Sequence, residues 1–128
     1  MARKRCLTGE VIGSGAFTAL PPRAQLLYIQ MVMVADDDGV VSNPLVPMAL
    51  SGGTQKDLET LKASRFILEA GRVLVVKHWW LHQNFRKDRY HQSPRYEDLN
   101  RLFIRPDKVY TDHPSEESRQ FAESLGLA

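Results

Sequence analysis

A single cysteine, Cys6, among 128 residues excludes an internal disulfide framework and points to a reducing compartment. Long apolar runs are also missing. The longest, Leu26 to Ala35, is interrupted by Gln30 and falls well short of the ~20 residues that cross a bilayer. No membrane span is expected. Arg3-Lys4-Arg5 leads into polar Thr8, Gly9 and Glu10 instead of an apolar stretch, which argues against a secretory start and for a cytoplasmic protein. Catalytic signatures are lacking too: there is no G-x-S-x-G, no phosphate-binding glycine loop, and no histidine beside Cys6. His78 and His82 lie four apart without a third ligand at structural-zinc spacing, and Asp36-Asp37-Asp38 lacks the alternating ligands of a calcium loop. The expectation is a protein that is not an enzyme and holds neither metal nor cofactor.

Hydrophobic residues make up 43% and charged residues 25%, which suits one folded domain with its own core. The charge is unevenly placed. The net charge of +2 divides into +5 over residues 1–110 and −3 over residues 111–128, a basic body with an acidic tail, and the moderate surplus weakly favours nucleic acid over an acidic partner.

Residues 1–20 combine the basic triplet with scattered glycines and isolated apolar positions, and read as an arm draped over the body. Pro22 suits a first helical turn, where its missing N–H costs nothing, and predicts a helix to Ala35. This helix is apolar nearly all round, so its own domain or a second subunit must cover several sides. The acidic triplet and Gly39 end it, since carboxylates are unfavourable at the negative end of a helix dipole. Val40-Val41 follows as a short strand. Asn43-Pro44 opens a helix of about two turns to Leu50, and Ser51-Gly52-Gly53 breaks it. Thr54 and Asp57 form a capping-box pattern for a third helix over Thr54 to Ser64, whose Leu58 and Leu61 share one face.

Two helices joined by a short glycine-containing turn form a helix-turn-helix pattern. Phe66 to Leu68 and Val73 to Val76 are β-rich runs across a turn where Gly71 takes the left-handed position of a hairpin. The predicted fold is therefore α+β: a winged helix-turn-helix with a three-stranded β wing and additional N- and C-terminal segments. Its boundaries are an arm over 1–20, a DNA-binding domain over 21–110, and an acidic tail or linker over 111–128.

The third helix, beginning at Thr54, offers Gln55, Lys56 and Thr60 to a major groove, where glutamine can read adenine and lysine can read guanine or phosphate. Asp57 and Glu59 oppose this by making the helix nearly neutral. Arg72 at the hairpin tip suits a phosphate. Arg86, Lys87 and Arg89 put three cations within four residues and form the most basic segment, which Arg95, Arg101, Arg105 and Lys108 continue. The candidate DNA-binding set is Thr54, Gln55, Lys56, Thr60, Arg72, Arg86, Lys87, Arg89 and Arg95.

The runs Ala24-Gln25-Leu26-Leu27-Tyr28, Ala35-Asp36-Asp37-Asp38-Gly39, Lys77-His78-Trp79 and Arg86-Lys87-Asp88-Arg89-Tyr90, together with Arg3, Arg5, Ile12, Ser14 and Phe17, carry a family resemblance. Over residues 1–111 the chain resembles the N-terminal domain of phage replisome organisers, which are similar to DnaD-type primosome proteins. It departs from that pattern at Pro21-Pro22, where a serine cap before one proline is more usual. The resemblance implies a winged-helix replication initiator of a phage or prophage, binding double-stranded origin DNA and helping recruit a host helicase or helicase loader. Two other readings share the sequence: a phage transcriptional regulator on the same fold, and an assembly module that forms a homodimer through the apolar first helix.

Overall fold

A computed structural model describes residues 4–83, 90–113 and 119–120. The chain is a mixed α+β protein. Its first described elements are two single-turn helices, α1 (Gly9–Ile12) and α2 (Gly15–Thr18), each opened by a hydroxyl cap: Thr8 Oγ1 accepts from Glu10 N–H and Ser14 Oγ from Phe17 N–H. These turns drive Val11, Phe17 and Leu20 into the core. Phe17 meets Tyr28 and Phe66 edge-on, with ring centroids 5.3 and 5.6 Å away. Residues 8–20, expected as a draped arm, are thus built into the core. Their three inserted side chains follow no helical period because Val11 and Phe17 come from two separate capped turns and Leu20 from the link that follows.

The longest helix, α3 (Pro22–Val34), starts with proline in its first turn and buries Ala24, Leu27, Tyr28, Met31 and Val32, the spacing of one helix face. Beyond it the chain reverses at Gly39, whose φ of +85° is left-handed. A Cβ there would lie 2.6 Å from the Trp79 ring, so both conformation and close approach require glycine. Strand β1 (Val40–Val41) follows, then α4 (Leu45–Ser51). Asn43 Oδ1 accepts the Leu45 N–H at 3.1 Å, and Gly52 closes α4 in the left-handed conformation. Helix α5 (Gln55–Ala63) has the full capping box of Thr54 and Asp57 and buries Asp57, Leu58 and Leu61.

Strands β2 (Ile67–Ala70) and β3 (Val73–Val76) form an antiparallel hairpin. Strand β1 pairs with β3 as well, through Val40 with Val75 and Val41 with Leu74, so the sheet order is β1-β3-β2. All four residues of β3 are buried; since side chains alternate along a strand, both faces of the sheet are covered. Helix α3 packs on α4 and α5, and α5 leans on β2.

The C-terminal part adds α6 (Trp79–His82), α7 (Tyr96–Leu99), and a second small sheet of β4 (Phe103–Ile104), β5 (Tyr110–Thr111) and β6 (Arg119–Gln120) in the order β5-β4-β6. Leu99, Leu102 and Tyr110 join the main core, and Tyr110 N–H donates to the Lys77 carbonyl at 2.9 Å. Residues 111–128, expected as a tail or linker, thus include Thr111 in β5 and the paired Arg119–Gln120. Among the described residues no helix is long and apolar enough to cross a membrane.

Candidate nucleic-acid interface

The outward side of α5 carries the residues expected to read bases, and most of them have partners within the chain. Thr54 is consumed as a cap: its N–H donates to Asp57 Oδ2 at 2.8 Å and its hydroxyl to the same oxygen at 3.0 Å. The Thr54 backbone N–H, with help from nearby Arg23 and Lys56, holds the Asp57 carboxyl below the usual carboxylate range. Gln55 Nε2 donates to Glu59 at 2.8 Å, and the Thr60 hydroxyl donates back to the Lys56 carbonyl at 2.9 Å. Lys62 sits 2.7 Å from Glu69 on the hairpin and 3.5 Å from Glu59; the bond to Glu69 chiefly raises its pKa. Lys56 is exposed and, among the described residues, is the α5 cation without an ion pair. A helix of this balance contributes little to attracting phosphate and must rely on neighbours for it.

Arg72 is exposed at the turn between β2 and β3. The turn is not free-standing. Gly71 has φ +59°, and a Cβ on it would lie 2.2 Å from Asp98 Oδ1 and 3.2 Å from Arg101 Nε, so the C-terminal segment is pressed against the hairpin tip. Arg95 and Arg101 are exposed on that segment, and among the described residues neither makes an ion pair. Arg95 N–H donates to Ser93 Oγ at 3.0 Å just before α7. By contrast Arg65 is held bidentately by Asp112 at 2.6 and 3.2 Å, and Arg105 by Asp107 at 2.9 Å. Arg86, Lys87 and Arg89 lie outside the described residues.

The acidic triplet does more than end a helix. Asp36 Oδ1 accepts the N–H groups of Asp38 and Val40, and its Oδ2 accepts the Ser93 hydroxyl. Asp37 pairs with Arg5 at 3.1 Å and accepts the His91 N–H at 2.9 Å. Asp38 accepts the Tyr90 hydroxyl at 2.5 Å and the Ser93 N–H at 2.7 Å, while its carbonyl takes the Tyr110 hydroxyl. Burial pushes the Asp38 carboxyl up to about 6, against the pull of its two donors. This turn therefore fastens the N-terminal segment and residues 90–93 to the core. Arg5, expected in a mobile basic arm, is also seated over the Trp79 ring and donates to the Ala35 carbonyl at 2.7 Å. Nothing in the local sequence marks Ser93 or Arg5 as partners of the turn, because they are 57 and 32 residues from the carboxylates they meet.

His82 is buried with both ring nitrogens engaged: Nδ1 accepts the Thr8 N–H at 2.9 Å and Nε2 lies 2.6 Å from the Tyr28 hydroxyl. Neither nitrogen is left for a metal. A cavity of about 690 Å³ opens beside the acidic turn, walled by Val34, Val40, Val46 and Pro94 with Asn43 and His91 among its polar groups. Among the described residues, none of the DNA-binding candidates lines it. No family model, curated protein or solved structure matches this chain.

Proposed function

We propose that the chain is a winged helix-turn-helix DNA-binding domain acting as a phage replication initiator, the role implied by its resemblance to phage replisome organisers. The observation that carries the reading is connectivity: α3, β1, α4, a glycine turn, α5 and a hairpin follow in that order, with β1 on the far side of β3. In such an arrangement the second helix of the pair enters the major groove and the hairpin flanks it. The binding energy comes mainly from phosphate contacts by Lys56, Arg72 and Arg95, with Arg86, Lys87 and Arg89 adding the densest group of cations. Base reading by α5 is modest, since Gln55 must leave Glu59 to reach a base.

Titrating salt against duplex DNA tests this. Neutralising about three to five phosphates gives a log–log slope of roughly −3 to −4.5, so affinity falls on the order of 40- to 500-fold between about 50 and 200 mM salt. A slope near zero, or no binding to duplex, rejects the reading. Capture of a host helicase or loader by the full chain separates an initiator from a transcriptional regulator, which would bind an operator alone.

A second reading rests on one specific observation. Leu26 on α3 and Leu45, Val46 and Leu50 on α4 are exposed, Leu45 by 68%, and no charged residue occurs from Gly39 to Gln55. Exposed apolar side chains on two helices that pack together suit self-association. A concentration-dependent dimer that Leu45→Asp and Leu50→Asp together disrupt supports it; a monomer at all concentrations removes it.

A further inference from the structure

At the hairpin tip, α7 and the turn after it are held against the loop between β2 and β3. Leu99 and Leu102 are fully buried in the main core, and this anchoring carries Asp98 and Arg101 to Gly71, thirty residues upstream of Arg101 in the chain. The approach is close: the Asp98 carboxylate lies where a Cβ on Gly71 would be, so it would have to move for any side chain there, and Arg101 Nε lies beside it. Arg101 and Arg72 are both exposed, and among the described residues neither is in an ion pair. Arg72 thus stands beside Gly71 in the turn, and the side chains of Asp98 and Arg101 lie against the same turn.

We propose that Arg101 completes an anion-binding site at the hairpin tip with Arg72, and that the site takes a phosphate of the DNA backbone while Asp98 weakens it. The inference rests on the DNA-binding reading above and deepens it by making the C-terminal segment part of the interface. Guanidinium groups suit this role because their planar donors match phosphate oxygens. The neighbouring carboxylate repels the same ligand, so the site grips without holding tightly, and removing that charge should strengthen it.

The test compares salt-titrated binding of the full chain and its variants to one random-sequence duplex, with a thermal melt of each protein. Arg101→Gln should weaken binding roughly 3- to 10-fold near 100 mM salt and bring the log–log slope about 0.9 closer to zero, the signature of one lost phosphate contact. Arg101→Lys should keep the parent slope, Asp98→Asn should tighten binding by about 2- to 4-fold at low salt, and Arg23→Gln, on the first turn of α3, should change neither. If the parent binds with its slope and Arg101→Gln matches it, this inference is overturned while the DNA-binding reading stands. If Asp98→Asn fails to tighten binding, the role given to Asp98 is overturned. If the parent does not bind duplex at all, both fall. Should Arg101→Gln lower the melting temperature, the charge-keeping Arg101→Lys decides: binding lost in a folded Lys variant overturns the phosphate assignment.

Discussion

Acidification should weaken the contribution His82 makes to stability by tying the N-terminal segment to the core, and the size of the effect follows from its partners. Nδ1 accepts the Thr8 N–H, so the ring proton sits on Nε2 and points at the Tyr28 oxygen. A second proton would have to enter at Nδ1, directly against an N–H, inside a site where burial brings the imidazole down from the usual 6.5 to about 4. The unfolded chain therefore binds more protons than the folded one below about pH 6.5. Stability from this group is fully present above that pH and is lost progressively on descending toward pH 4. Between pH 7 and pH 5 the loss is about 2 kcal/mol, at roughly 1.4 kcal/mol for each tenfold change in proton affinity. Asp38 works in the opposite direction. Its folded pKa of about 6 lies above the usual 3.8, so its contribution is present at low pH and disappears as pH rises through 6. It returns about 1 kcal/mol over the same interval, and the parent should look nearly indifferent to pH there. The opposition is exposed by substitution: urea unfolding followed by tryptophan fluorescence, at pH 7 and pH 5, should show the parent losing about 2 kcal/mol more than His82→Gln, and Asp38→Asn losing about 1 kcal/mol more than the parent. Equal pH dependence of parent and His82→Gln would refute the assignment of the Thr8–His82–Tyr28 bonds.

Three further outcomes follow from the geometry. Gly39→Ala meets both a left-handed φ and the Trp79 ring, so it should cost on the order of 2–4 kcal/mol in denaturant unfolding; a loss under about 1 kcal/mol would contradict the close approach. Asp57→Ala removes one half of the α5 capping box and should destabilise by about 1 kcal/mol, with helix content by circular dichroism falling only slightly. Arg65 is a non-glycine residue at φ +65° whose ion pair with Asp112 is exposed. Arg65→Gly should be more stable than Arg65→Ala by about 1 kcal/mol, since both variants lose the pair and only glycine takes the left-handed backbone without strain; the reverse order in thermal melts would count against the left-handed backbone.

The elements most readable from the chain are those set by neighbours within a few residues. Pro22, the Asn43-Pro44 pair, the Thr54–Asp57 box and Gly71 each act through one or two local hydrogen bonds or a restricted φ, and each marks a boundary where the structure has one. The β-rich runs of the hairpin and the face formed by Leu58 and Leu61 are equally local. For the candidate interface, residue type and exposure could be anticipated at Lys56, Arg72 and Arg95, because cations at loop and helix surfaces stay solvated. What could not be anticipated was which cations are already occupied: Lys62 by a hairpin glutamate, Arg5 by the acidic turn, Arg65 by Asp112.

Local chemistry along the chain was thus sufficient to specify helix starts, turns and the hairpin, since those depend on short-range sterics and capping. Packing alone decided that Phe17 belongs to the core and Arg5 to the acidic turn, that three adjacent aspartates tie distant segments together, and that Asp98 and Arg101 lie on the Gly71 turn. Such contacts join residues tens of positions apart, and their partners are chosen by shape and burial once the elements have docked, which no spacing in the primary structure encodes.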